Sequence, residues 1–189
     1  MHHIPNGDVY ILFEDGEDTR QVQRGFAEDL SLGPKHIFVL PFGMERSPWN
    51  LEHVGKHVNL KADSIPTGTV NTGGDITGPF AFFIPAMAYS LGWVLERRSS
   101  DPGDNRVTIT TRDGKLAWTY TDRKVPNGNV VELRDKTYSR EQTFRISLDK
   151  GYAEYLSRGT RKDGYKDEER AQKSGFGYNR KGHGRGFCE

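Results

Sequence analysis

Apolar and polar positions alternate in short bursts along most of this chain, and Gly, Pro, Asn and Asp separate the bursts. That two-residue period is the signature of half-buried strands. Asp8 opens a compact stretch that runs through Val9, Tyr10, Ile11 and Phe13. It is bounded by Asn6-Gly7 and by an acidic turn over 14–18. Residues 36–42 are apolar on both faces and predict a buried strand. Further strands are predicted over 92–98, 129–134 and 143–148, and Val58 to Leu60 has the same character. In 143–148, Phe144, Ile146 and Leu148 alternate with Arg145 and Ser147.

The sharpest local pattern is a hairpin. Residues 107–112 and 115–121 alternate on either side of Asp113-Gly114, a pair that favours a two-residue type I′ turn. Register follows from the turn: Arg112 faces Lys115, Ile109 faces Trp118 and Val107 faces Tyr120. Val107, Ile109, Leu116, Trp118 and Tyr120 then share one face, with Thr108, Thr110, Arg112, Ala117 and Thr119 on the other. A slip by one residue would mix the two sets, so pattern and turn specify one register.

One segment breaks the strand rhythm. Val22, Phe26 and Leu30 recur at four-residue spacing, which predicts a helix over 19–32, capped by Thr19 and ended by Gly33-Pro34. Gly25 inside it costs about 1 kcal/mol relative to alanine. The longest apolar run, Pro79 to Leu95, is interrupted by Pro79 and Pro85 and is too short for a membrane helix. It predicts buried strands around a turn. No repeat of 20 to 50 residues is evident. The fold expected is mainly β, an antiparallel β-sandwich or barrel, with one short helix in the N-terminal half and an extended C-terminal arm. No helical crossovers alternate with the strands, which disfavours a doubly wound sheet.

Charge divides the chain in two. Residues 150–189 carry ten Lys/Arg against six Asp/Glu, whereas 1–149 carry 17 against 20. A β-rich body over 1–149 is thus joined to a basic arm over 150–189. The arm closes on Gly, basic and aromatic residues with no apolar period, and it cannot bury enough surface to offset its own ordering entropy. Tyr152, Tyr155, Leu156, Phe176, Tyr178 and Phe187 are its candidate anchors, interleaved with Arg180, Lys181 and Arg185. They fit docking on a neighbouring subunit, stacking on nucleic acid, or a plain flexible tail. The single cysteine, Cys188, excludes an internal disulfide framework.

Catalytic chemistry is not spelled out. His53 and His57, four apart beside Glu52, are weak metal candidates: Gly55 interrupts a helix there and no third ligand stands nearby. The carboxylates of 14–18 lack calcium-loop spacing. His183 and Cys188 have no fixed base or oxyanion site around them. No catalytic residue, cofactor or metal is assigned, and a non-enzyme is expected. The first eight residues have neither a basic leader nor an apolar stretch, so the expected setting is cytoplasmic or particle-associated, with no signal peptide and no membrane span.

Across 49–83 and on to Asp101-Pro102-Gly103-Asp104-Asn105, the order of Pro/Gly-punctuated strands before an Asx-Pro turn resembles actinoporin- and aegerolysin-type β-sandwich proteins. The resemblance covers about a third of the chain and implies lipid or glycan binding, with pore formation. The leading expectation rests instead on the edge-rich body and the arm: a structural or assembly subunit of a particle, tube, virion or phage component, or larger complex. Its partners would be copies of itself or other proteins. Glycan or lipid binding, and nucleic-acid binding through the arm, stand beside it.

Overall fold

The computed structural model describes residues 4–148, apart from 17, 26–30, 42, 45–46, 102 and 127. The body is antiparallel β throughout. Its first four strands are β1 (Gly7–Asp15), β2 (Asp18–Arg24), β3 (Lys35–Val39) and β4 (Trp49–Val54). Next come β5 (His57–Ala62), β6 (Ile65–Thr72), β7 (Asp75–Ala81), the two-residue β8 (Ser90–Leu91) and β9 (Val94–Arg97). The last four are β10 (Arg106–Thr110), β11 (Leu116–Val125), β12 (Gly128–Asp135) and β13 (Phe144–Ser147). Two single 3₁₀ turns, Pro85–Met87 and Arg140–Gln142, are the only helical elements among the described residues.

The pairings define a closed barrel. β1 pairs with β4, β4 with β5, β9 with β10, β10 with β13, and β13 with β1. The bridge between Val58 and Trp93 closes the ring between β5 and β9. Three hairpins, β2–β3, β6–β7 and β11–β12, sit on this six-strand ring. They join one another through β3–β7 and β3–β12, so a longer antiparallel circuit of ten strands also closes. Each of the segments 7–54, 57–97 and 106–147 therefore sends its outer strands to the ring and its middle strands to a hairpin. This is the β-trefoil arrangement. Of the two architectures expected, the barrel forms, and the sandwich implied by the actinoporin and aegerolysin resemblance does not.

The threefold plan corrects the expectation that the chain has no internal repeat. Trp49, Trp93 and Phe144 stand at equivalent places, at or just before the start of the last ring strand of each unit. Each is followed two residues later by an aliphatic: Leu51, Leu95 and Ile146. All three aromatics are buried and converge on Trp118 from β11, at ring-centroid distances of 5.8, 5.1 and 6.3 Å. Tilted and edge-to-face rings at this spacing add to the burial of their area. The repeat is one aromatic and one aliphatic per unit, too sparse to show as self-similarity.

The hairpin at Asp113-Gly114 keeps its expected register, since Thr110 pairs with Ala117. Its turn differs. Positive φ occurs at Gly114 (+72°) but not at Asp113, so this is not a type I′ turn. Gly114 N–H donates to Thr111 O (2.9 Å), and the Thr111 hydroxyl donates to Asp113 Oδ1 (2.7 Å). That hydroxyl bond is the main reason the Asp113 carboxyl lies below the ordinary range. Both faces of the hairpin are covered: Thr108, Thr110, Ala117 and Thr119 are buried as fully as Val107, Ile109 and Trp118.

Where the helix is expected to begin, the chain is strand. Residues 18–24 are strand β2, which pairs with β1 through Asp15–Asp18 and with β3 through Val22–Val39. Gln21, Val22 and Gln23 are all buried, because the strand is covered on both sides. The Gln23 amide is satisfied by donating to Ser47 O (2.8 Å) and accepting from Arg24 N–H (2.9 Å). Phe26 and Leu30, which set the four-residue spacing, lie outside the described residues.

Candidate functional site

The second unit departs from this compact plan between β7 and β8. From Ile76 to Leu95 the chain carries no Asp, Glu, Lys, Arg or His. Its ends are core: Phe82 and Trp93 are fully buried. Its middle is not. Phe83, Ile84, Met87 and Tyr89 are 40, 39, 48 and 61% exposed, and Pro85 and Ala86 between them are exposed as well. The expected buried turn is therefore a surface ridge. Among the described residues, the other exposed large side chains (Leu32, Met44, Val54, Tyr138, Leu148) are not grouped along the chain in this way. Single exposed apolar residues need no explanation, but a contiguous run marks a contact surface.

The ridge is held in one shape. Phe82 N–H donates to Pro66 O (2.9 Å) and Tyr89 N–H to Thr69 O (2.8 Å), so both ends are tied to the same strand, β6. Pro85 opens the 3₁₀ turn, where a missing N–H costs nothing. Met87 N–H and Ala88 N–H close it on Ile84 O and Pro85 O, both at 3.0 Å. The flanking Ile84 and Ala88 are extended. The Arg24 guanidinium lies 5.6 Å from the Phe83 ring centroid while pairing with Asp63 at 3.2 Å. A cavity of about 180 Å³ adjoins the ridge, lined by Thr69, Tyr89, Ser90 and the Thr111–Asp113 turn. The buried Thr69 hydroxyl has no hydrogen-bond partner among the described residues.

A larger cleft, about 840 Å³, lies between β11, β12 and the Arg140–Gln142 turn. It is polar, and several of its charges are paired. Arg20 pairs with Asp15 at 2.6 Å, and Arg123 and Arg134 hold Glu132 at 3.2 and 3.3 Å. The Tyr120 ring, the platform on which a sugar would stack, is already engaged. Phe13 stacks on it at 4.3 Å, and Arg20 donates to its hydroxyl at 3.1 Å. On the same side of the sequence, Tyr138 takes a left-handed backbone (φ 57°), strained for an aromatic residue. Gln142, only 2% exposed, holds it there by accepting from Thr137 and Tyr138 N–H at 2.8 and 3.0 Å. The Tyr138 hydroxyl turns back to Glu96 (2.8 Å), so the ring belongs to the scaffold.

Comparison with known proteins places this architecture. A family model for peptidase inhibitor I66 matches residues 1–147, the whole trefoil. The chain belongs to the peptidase inhibitor I66 family. A solved proteinase inhibitor from Coprinopsis cinerea is similar, with 22% identity and a TM-score of 0.59, over 78% of this chain and 100% of that one. A ricin B-like lectin from Macrolepiota procera, solved with lactose, is similar at 14% identity and a TM-score of 0.55, over 78% and 99% of the two chains. At these identities the likenesses show the fold. No curated protein matches the chain in sequence.

Membership in the I66 family overturns the structural reading. The expectation of a subunit of a particle, tube, virion or phage component is replaced by a non-enzymatic inhibitor-family protein. The expectation of a non-enzyme is borne out by the same match. Within this I66 chain, His53 and His57 fall on different strands of one hairpin, His53 opposite Val58 and His57 opposite Val54. The His53 Nε2 lies 2.7 Å from Ile4 O, and no cluster of three or more metal-ligating side chains occurs among the described residues. The arm anchors Tyr152, Tyr155, Leu156, Phe176, Tyr178, Arg180, Lys181, Arg185 and Phe187 all lie outside the described residues. No helix among the described residues is long and apolar enough to cross a membrane.

Sequence reasoning found the 79–95 run but assigned it to the interior. The signal that marks the ridge was available: an unbroken stretch without charge from Ile76 to Leu95, with Pro85 inside its most apolar part.

Proposed function

We propose that this protein inhibits a peptidase by binding it as a folded protein, through surface loops carried on the trefoil barrel. The observation that carries the reading is the match to the I66 inhibitor family across residues 1–147, which takes in every ring strand and all three hairpins. The similar Coprinopsis cinerea protein, a proteinase inhibitor, is covered along its full length. The architecture suits inhibition, because a tryptophan-centred core gives a rigid body and rigid loops bind with little ordering cost. The partner is thus a peptidase, in place of the copies of itself that an assembly subunit would need.

The test is titration of the purified chain into active-site-calibrated peptidases of the serine, cysteine, aspartic and metallo classes. The expected result is saturable, near-stoichiometric loss of activity in one class, with a stable complex on size exclusion. Full activity of all four classes at micromolar inhibitor rejects the function.

A further inference from the structure

We infer that the Phe83–Tyr89 ridge is the element that enters the peptidase, and that the partner is a peptidase with apolar substrate pockets, one that cleaves beside large hydrophobic side chains. The inference rests on the inhibitor reading and adds to it a location and a class of partner.

Chemistry selects the partner. A peptidase cleft recognises side chains, and a pocket bearing a buried charge needs an opposite charge in its occupant. The ridge has none to give, since no Asp, Glu, Lys, Arg or His occurs from Ile76 to Leu95. What it offers is Phe83, Ile84, Met87 and Tyr89, each at least 39% exposed and closely spaced along the chain. Aromatic and methionine side chains of this kind are the usual anchors of protein interfaces. Arg24, whose guanidinium lies against the Phe83 ring, already pairs with Asp63.

Geometry makes the ridge a wedge. Its two ends are tied to Thr69 and Pro66 of β6, and Phe82 and Trp93 plug the flanks into the core. The span between them is a proline-started turn with extended residues on either side. Such a loop keeps its shape when it docks, and it leaves the barrel behind to block the cleft. Among the described residues, the other two surfaces considered lack this combination. The polar cleft is lined by charged side chains of both signs, among them Arg123 paired with Glu132, and the Tyr138 hydroxyl donates to Glu96.

Inhibition constants of wild type, Phe83→Ser, Met87→Asp and Tyr89→Ala are to be measured against chymotrypsin-type, subtilisin-type and trypsin-type peptidases. Met87→Leu and Arg140→Ala, in the polar cleft, serve as controls, and thermal melts confirm folding. The expected result is inhibition of a peptidase that prefers large apolar residues. The three ridge variants should weaken it by about tenfold to a hundredfold each, with both controls near wild type. Inhibition confined to peptidases that cleave after Lys or Arg, or ridge variants equal to wild type, overturns the inference and leaves the inhibitor reading standing. No inhibition of any of the three overturns the inference, and the inhibitor reading falls with it only if the four-class titration is blank as well. Sedimentation with phosphatidylcholine and phosphatidylserine vesicles, and ultracentrifugation of the chain alone, complete the test. A membrane contact or a self-association that Met87→Asp abolishes, with inhibition intact, assigns the ridge elsewhere and also overturns it.

Discussion

Gly68 and Ser90 approach so closely that a methyl group on Gly68 would lie 2.2 Å from the Ser90 carbonyl oxygen and 3.0 Å from Leu91 Cδ2. Only a residue without a side chain lets β8 lie on β6 here, and β8 is the base of the ridge. The contact thus links a backbone requirement in the second hairpin to the shape of the exposed turn.

Gly68→Ala should push β8 away from β6 and strain the Tyr89–Thr69 hydrogen bond. Forcing a methyl into such a contact costs about 1–3 kcal/mol. Urea titration should show a lower midpoint, and limited proteolysis should cut faster within 83–89 than in wild type. An unchanged midpoint and cleavage pattern would show that the close approach carries no weight.

Two threonines on the same strand make opposite predictions. Thr67 Oγ1 accepts from Trp93 Nε1 (2.9 Å) and donates to Leu60 O (2.7 Å), all in the core. Thr67→Val would leave an indole N–H and a carbonyl unpaired, at a cost of about 1–3 kcal/mol, while Thr67→Ser should retain most of the stability. Thr69, also buried, has a hydroxyl without a partner among the described residues. Thr69→Val should therefore be neutral or stabilising. Equal losses for both valine variants would contradict this account of the hydrogen bonding.

These predictions also show how far the sequence reached. Several strand positions followed from alternation, and the register of the 107–121 hairpin followed from the turn and the faces, because a single slip would mix the two sets of side chains. The turn geometry did not, since the hydroxyl of Thr111 reorganises it through contacts no dipeptide rule contains. β2 breaks the alternating pattern because its buried positions include the polar Gln21 and Gln23, and a tertiary partner, Ser47 O, takes the Gln23 amide. The ridge was placed inside because apolar runs are usually buried. Its exposure follows from ties to β6, a strand that the alternating pattern does not single out.

Gln142 is a polar hub that no motif announces. Besides accepting from Thr137 and Tyr138, its amide donates to Thr119 Oγ1 (3.0 Å) and Asp135 O (2.8 Å). Gln142→Leu strands those groups and releases the strained Tyr138 turn. The expected loss is about 2–3 kcal/mol, read as a lower urea midpoint, with faster amide exchange at Thr137 and Tyr138. Protection at those two amides equal to wild type would rule out the role. Inhibition by the ridge should persist in the folded variant, because the turn lies outside the 83–89 segment.

The last prediction concerns pH. Glu96 accepts from Lys136 at 2.9 and 3.2 Å and from the Tyr138 hydroxyl at 2.8 Å. Burial alone would raise its carboxyl, but those hydrogen bonds outweigh burial and hold it below the ordinary glutamate range. Hydrogen bonds with Tyr138 and Glu96 raise Lys136 above the ordinary lysine range. A depressed carboxyl means that the unfolded chain binds the proton first as pH falls. Its stabilisation is complete above the usual glutamate range and disappears as pH drops through the folded value. The lysine has the opposite sign: its contribution is complete below the ordinary lysine range and is lost on strong alkalinisation. The pair therefore adds its full increment, about 1 kcal/mol for partly exposed groups, on a plateau that includes neutral pH. Glu96→Gln should lie below wild type by that amount at pH 7, and the gap should close as the pH falls below the ordinary glutamate range and through the depressed folded value. Urea midpoints across this range measure it directly; a gap that stays constant down to the acid end would show that the carboxylate charge is not what Glu96 contributes.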